Sequence, residues 1–250
     1  NDYIDGGVGS EDLDGGPGDD IVRGGGNADI VDGGEGIDQV YGDDGDDVLF
    51  GGAGDGGVQF GQRIYGGADS DYLYAYAEAG DDADPTAVPM GDQMYGESGN
   101  DYLFGNLRRD ALDGGNGNDY LHGDYLSGPE YRDGTSMDIA GGPDTLRGGS
   151  GEDLMYGGGG DDEMYGGGDS DDMTGQDGRD ILLGGAGIDL MRMDTDVNFT
   201  AFGEILDGHF GNHTRNDVDD DNATDILVIA GSDDDDFIEV AEIDVAIETG

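Results

Sequence analysis

The chain has no lysine, no cysteine and only three histidines, set against 61 acidic residues. Without cysteine there are no disulfides and no thiolate metal sites. The nine arginines leave a formal net charge of −52, a sign that repels nucleic-acid phosphates and excludes that partner. No apolar run approaches the roughly 18 residues of a membrane-spanning helix, so no transmembrane segment is expected, and no stretch has the pattern of a signal peptide. No G-x-S-x-G elbow, P-loop or cysteine nucleophile occurs. His209 and His213 have the spacing of a zinc helix. Gly208 and Gly211 oppose a helix, however, and the glutamate of H-E-x-x-H is missing, so the spacing reads as chance. With aspartate this abundant, paired carboxylates say nothing about acid–base catalysis, and the chain is read as non-enzymatic.

An ordinary large core is also missing: glycine numbers 55 and apolar residues make up 34%. Such a composition would normally read as disorder, because self-repulsion opposes compaction. An acid-rich, lysine-free surface also fits adaptation to salt, which accounts for the surplus of acids but not for their spacing. That spacing is the informative feature. Residues 148–165 read GGSGEDLMY and GGGGDDEMY, two copies of Gly-Gly-x-Gly-x-Asp-x-apolar-x. Three glycines in six residues oppose a helix, at about 1 kcal/mol each relative to alanine, and suit a tight turn with positive φ. The last three residues suffice for a very short strand with one inward side chain. One copy buries almost nothing, so copies must stack.

The register runs from residue 1 to about 192. Residues 1–5 match the second half of a repeat, which leads us to expect that the chain is a piece of a longer protein. Five uninterrupted repeats from Gly6 carry Glu11, Asp20, Asp29, Asp38 and Asp47 at the sixth position. Glu11 is the exception; its longer side chain still reaches, or Asp12 substitutes. Insertions near 51–62, 75–91 and 123–140 then interrupt the period. Between and after them the sixth position holds Gln62, Asp71, Asp92, Asp101, Asp110, Asp119, Asp144, Asp153, Asp162, Asp171, Asp180 and Asp189. Gln62 stands where aspartate belongs, with Asp55 as a possible compensation. In all, 16 of 18 sixth positions are Asp, and the eighth is always Leu, Val, Ile or Met. Asn27, Asp69 and Asp169 replace a glycine mildly, since Asn and Asp tolerate left-handed backbone. Leu107 is expected to mark an altered turn.

This unit resembles the repeats-in-toxin (RTX) nonapeptide, the calcium-binding repeat of secreted bacterial proteins. The resemblance implies an all-β fold: a parallel β-roll solenoid of about nine coils, two repeats to a coil, with turns on alternating edges. It implies calcium between turns that neighbour each other on one edge, roughly a dozen ions in all, held by glycine-turn carbonyls and the sixth-position carboxylates. The expected metal ligands are Asp20, Asp29, Asp38, Asp47, Asp71, Asp92, Asp101, Asp110, Asp119, Asp144, Asp153, Asp162, Asp171, Asp180 and Asp189. Hard oxygen ligands and the lack of cysteine suit calcium over zinc or copper. Two carboxylates about 4 Å apart repel by roughly 4 kcal/mol at an effective dielectric near 20, so metal binding and folding are expected to be one event.

Alternation predicts two rows. Asp29, Asp47, Asp71, Asp101, Asp119, Asp153, Asp171 and Asp189 form one. Asp20, Asp38, Gln62, Asp92, Asp110, Asp144, Asp162 and Asp180 form the other, weakened beside Gln62. All three insertions should project from the second edge and gather Phe60, Tyr74, Tyr76, Tyr125 and Tyr131. At the ninth position Tyr41, Phe50, Tyr65, Tyr74, Tyr95 and Phe104 should form two outward stacks, one per sheet, that either shield the sheets or make a contact surface. Residues 1–192 are thus the roll, and 193–250 a cap or the start of a next module, irregular over 193–221 with strands at 226–230 and 237–247. Asn198, Asn212 and Asn222 begin N-x-T sequons that read as polar loop residues. The expectation is a secreted, extracellular or cell-surface calcium-binding module, structural or adhesive, released by type I secretion, with copies of itself or surface glycans as partners. The alternative is the C-terminal secretion module of a protease or lipase whose catalytic domain lies outside the chain.

Overall fold

The computed structural model describes residues 1–52, 61–75, 91–106, 108–124, 141–178, 180–187 and 189–192, together with two short strands at 205–207 and 228–229. No helix occurs among them. The chain forms two parallel sheets that it visits in alternation. One sheet contains β1 (Tyr3–Val8), β3 (Ile21–Gly26), β5 (Gln39–Asp44), β7 (Arg63–Ala68), β9 (Gln93–Ser98), β11 (Ala111–Asn116), β13 (Thr145–Ser150), β15 (Glu163–Gly168), β17 (Ile181–Ala186), β19 (Ile205–Asp207) and β20 (Val228–Ile229). The other contains β2 (Asp12–Asp14), β4 (Ile30–Asp32), β6 (Val48–Phe50), β8 (Tyr72–Tyr74), β10 (Tyr102–Phe104), β12 (Tyr120–His122), β14 (Leu154–Gly159), β16 (Asp172–Asp177) and β18 (Leu190–Arg192). From β1 to β19 strand n pairs with strand n+2, which defines a parallel β-roll solenoid.

Insertions leave the register intact. Ile64 pairs with Val40 on one side and Met94 on the other, eighth position to eighth position, although about six and then twelve residues are inserted between these strands. The eighth-position side chains form most of the core: from Val22 to Leu182 they are fully buried, with Ile4 and Leu13 of the first coil partly buried against them. Each coil thus contributes two apolar side chains to a thin interior, and only stacking removes them from water.

Strand length departs from the three residues expected. In the first sheet the strand runs on through the next glycine triplet, as in Ile21–Gly26, whereas β2 to β12 of the second sheet stop at three residues. The glycine turn therefore continues the ladder on one edge: Gly25 pairs with Gly7 and Asp43. Gly25 has φ 114°, and a Cβ there would collide with the Gly7 carbonyl. The mild replacements behave as expected: Asn27, Asp69 and Asp169 adopt φ of 78°, 78° and 73°. Leu107 lies outside the described residues. The register places Arg108, buried, at the fourth position of its repeat.

Beyond the roll, β19 continues the first sheet, with Ile181, Leu182 and Leu183 paired to Ile205, Leu206 and Asp207. The segment expected to be irregular over 193–221 thus adds a strand. Within 226–230, Val228–Ile229 pairs with β19. The strand expected at 237–247 lies outside the described residues, as do the sequons, His209 and His213.

The ninth-position rings form the two stacks. Tyr41, Tyr65 and Tyr95 stack on one sheet at 4.7 and 5.1 Å, with the Arg23 guanidinium 5.1 Å over the Tyr41 ring. Phe50, Tyr74 and Phe104 stack on the other at 5.2 and 4.9 Å. Interplanar angles of 6° to 14° turn the ring faces toward one another rather than toward solvent. A seventh-position pair, Tyr72 and Tyr102 at 4.5 Å, joins them.

Candidate metal centre

Each sixth-position aspartate opens a strand from the end of a glycine turn, which fixes its carboxylate in the gap between successive coils. One oxygen has a constant role. On the first edge the backbone N–H of Asp29 donates to Asp47 Oδ1 at 2.7 Å and Asp47 N–H to Asp71 Oδ1 at 2.8 Å. The ladder then runs through Asp101, Asp119, Asp153 and Asp171 to Asp189. On the second edge it passes from Asp20 to Asp38, Gln62, Asp92, Asp110, Asp144, Asp162 and Asp180. The two rows read from the sequence are therefore the two hydrogen-bonded rows of the molecule. Glu11 joins only as a donor, its N–H reaching Asp29 Oδ1 at 2.7 Å.

The second carboxylate oxygen is the chemically interesting one. On the first edge Oδ2 of Asp29, Asp47, Asp71, Asp101, Asp119, Asp153 and Asp171 is buried and has no hydrogen-bond partner, and the same holds for Asp20, Asp38, Asp144 and Asp162 on the second. Leaving one such buried acceptor unsatisfied costs about 1–3 kcal/mol. The space beside it is kept by glycine. A Cβ on Gly66 would meet Asp71 Oδ2 and, at 2.8 Å, the Gly96 carbonyl oxygen of the next coil; on Gly42 it would meet Asp47 Oδ2 and the Gly66 carbonyl oxygen. The first glycine of the repeat thus serves space, and the second and fourth serve both space and a positive φ.

Burial pushes these carboxyls upward, Asp71 to about 8, Asp101, Asp153 and Asp171 to about 7, and Asp38, Asp47 and Asp119 to about 6. Like charge in the neighbouring coil adds to burial for most of them. An unpaired anionic oxygen, a neighbouring carboxylate and a main-chain carbonyl fit a hard divalent cation. Among the described residues no group of three or more Asp, Glu, His or Cys side chains converges on one point. The remaining ligands therefore have to come from the backbone.

Three sixth-position residues of the second edge differ. Gln62 Oε1 takes the ladder N–H from Asp38 at 2.5 Å, and its Nε2 donates to the Gly36 carbonyl at 2.8 Å. Asn106 Nδ2 donates to Asp92 Oδ2 at 2.7 Å, while the Asn106 backbone N–H donates to Asp110 Oδ2 at 2.6 Å. Asp92 and Asp110 were expected among the metal ligands; in the structure, protein donors occupy the oxygens that elsewhere lack a partner. Asn106 escaped the sequence reading, although NLRR in place of G-x-G-x marked its turn. So did Asp124, which replaces the second glycine of its repeat. Buried, with its carboxyl raised to about 8 by desolvation, Asp124 accepts from the Gly159 N–H at 2.7 Å and the Gly142 N–H at 3.4 Å. His122 is pushed down to about 4 by burial and stacks on Tyr156.

The insertions bear on the same edge. The described residues that flank 53–60, 76–90 and 125–140 run into Gln62, Asp92 and Asp144, all second-row residues. Asp55, Phe60, Tyr76, Tyr125 and Tyr131 lie outside the described residues.

A solenoid of two parallel sheets with carboxylates stacked through its turns is a β-roll of the metal-binding kind. The chain belongs to the family of RTX calcium-binding nonapeptide repeats, whose four-copy model matches residues 1–22, 23–58, 63–83, 92–124, 140–173 and 171–191. No curated protein matches the chain. It is a calcium-binding repeat module, and the family's repeat is a structural unit rather than a catalytic one.

Proposed function

We propose that the chain is a non-catalytic, extracellular calcium-binding module of a larger secreted bacterial protein, structural or adhesive in role, and folded by the calcium it binds. The observation that carries this reading is the file of buried carboxylates with one hydrogen-bonded and one unpartnered oxygen. Asp29, Asp47, Asp71, Asp101, Asp119, Asp153, Asp171 and Asp189 on the first edge, and Asp20, Asp38, Asp144, Asp162 and Asp180 on the second, would hold the ions together with turn carbonyls. Bound calcium would supply the positive charge that these oxygens lack. Extracellular calcium modules bind at about 10⁻⁴–10⁻³ M, which leaves such a chain open inside a cell and closed outside it. A partner, whether a second copy of the chain or a surface glycan, would be met at the second edge, since loops on a rigid scaffold usually carry binding residues.

Calcium titration with native mass spectrometry tests the reading. About a dozen ions taken up cooperatively in that concentration range, with folding over the same range, is the expected result. Fewer than three ions, or uptake without any change in fold, would overturn it. Trimming the three insertions and assaying self-association and glycan binding tests the partner.

A further inference from the structure

The second edge contains three successive gaps between coils in which amide donors of Gln62 and Asn106 meet the oxygens that would otherwise face the gap. Between Asp38 and Gln62, the amide of Gln62 uses its oxygen for the ladder N–H and turns its NH₂ onto the Gly36 carbonyl. Where aspartate would leave a bare anionic oxygen beside that carbonyl, glutamine places a donor. Between Gln62 and Asp92 only one carboxylate remains, and its outer oxygen is held by Asn106 Nδ2. Between Asp92 and Asp110, Asn106 bridges the two carboxylates, side chain to one and backbone N–H to the other. Gln62, Asp92, Asn106 and Asp110 are all buried. Their outer oxygens are absent from the set that has no partner, whereas those of Asp38 on one side and Asp144 on the other belong to it.

From this geometry we infer that the second edge carries a metal-free seam from Asp38 to Asp110, closed by the amides of Gln62 and Asn106 in place of calcium. The seam splits the second row of ions into an N-terminal block around Asp20 and Asp38 and a C-terminal block around Asp144, Asp162 and Asp180. The first row stays continuous. Where a donor N–H fills the gap in front of an oxygen it takes the space a cation would need, and its positive end repels one. The first two insertions, 53–60 and 76–90, join the roll at this seam, so their bases are tied by hydrogen bonds whose strength does not follow calcium concentration. The inference rests on calcium binding by the regular turns.

A calcium-bound crystal structure with anomalous difference density tests it, together with an ion count for Gln62→Asp. Expected are strong peaks along the first edge and in both blocks of the second, no peak in the three seam gaps, and a gain of one ion between Asp38 and residue 62 in the variant. A peak in any seam gap of the natural chain would overturn the seam while leaving calcium binding intact. So would a Gln62→Asp variant with an unchanged count and no new peak. No peaks at any turn would overturn the calcium reading, and the seam with it.

Discussion

The two edges of the roll are built from the same repeat and behave differently. On the first, glycine triplets continue the strand, no segment interrupts the turns, and the outer aspartate oxygen is unpartnered at every step from Asp29 to Asp171. On the second, β2 to β12 end at three residues, three insertions enter, and Gln62 and Asn106 fill the gaps of the middle coils. On the proposed reading a turn would be closed in one of two ways, by a cation between anions or by an amide between acceptors. Closure by amide tolerates loss of the G-G-x-G pattern, because it needs a side chain where the cation needs empty space. The irregular turns, and the described residues that flank the insertions, lie on the edge where amides fill the gaps.

The largest effect should come from filling a first-edge gap. Gly66→Ala places a Cβ against Asp71 Oδ2 and the Gly96 carbonyl. It should raise the calcium concentration needed for folding by at least about tenfold, equivalent to 1.4 kcal/mol or more, as read by circular dichroism during calcium titration. An equal shift from Asn106→Ala would erase the distinction between the edges.

Smaller, but more discriminating, is the pair Asp71→Asn and Asp92→Asn. Each keeps an oxygen for the ladder N–H donated by Asp47 or Gln62. Asp71→Asn removes an anion facing an open gap and should raise the calcium midpoint about five- to tenfold, whereas Asp92→Asn should move it less than about twofold. Asp92→Asn should still lose about 1 kcal/mol of stability in saturating calcium, because its contact with Asn106 is disturbed. Thermal melts at high calcium measure that loss.

Protons offer a third comparison. Buried carboxyls raised to between about 6 and 8, such as Asp47, Asp101 and Asp71, bind protons more tightly in the folded roll than in the open chain, where the ordinary value is 3.8. Their contribution to the metal-free fold is complete below pH 3.8 and is lost as pH rises through 6 to 8. In chelator, β-structure should therefore grow as pH falls from 8 to about 4. In calcium the dependence on metal reverses sign: protons compete for the same oxygens, and the calcium midpoint should rise as pH falls. A metal-free chain equally unfolded at both pH values would contradict the assigned burial.

The smallest effect belongs to the sheet faces. Tyr65→Ala removes the middle ring of the Tyr41–Tyr65–Tyr95 stack and should cost about 0.5–1.5 kcal/mol. It should move the calcium midpoint less than Asp71→Asn does, since a ring on the sheet face supplies no ligand.

The rows, the core file and the aromatic stacks were legible in the sequence because a repeat converts position into place. Once Asp153 is the sixth residue of its repeat, its neighbours Asp119 and Asp171 follow, whatever is inserted between. Less legible was the continuation of strands through Gly24–Gly26 and its equivalents. Glycine propensity argues for turns, and only pairing with a neighbouring coil turns such a triplet into sheet. Asn106 was overlooked because a polar residue in place of the second glycine reads as a mild backbone replacement. Its significance lies in reaching Asp92 and Asp110, 14 and 4 residues away. The strand β19 pairs by backbone with β17 in a stretch without the repeat, so no periodicity announced it.

On the proposed reading, calcium between stacked carboxylates holds the roll closed. Hydrogen exchange of the full chain at neutral pH, in excess calcium and then in excess chelator, tests it most directly. The ladder N–H groups of Asp29, Asp47, Asp71, Asp101, Asp119, Asp153 and Asp171 should be protected with calcium and exchange freely without it. Full protection of this first-edge row in chelator would contradict it.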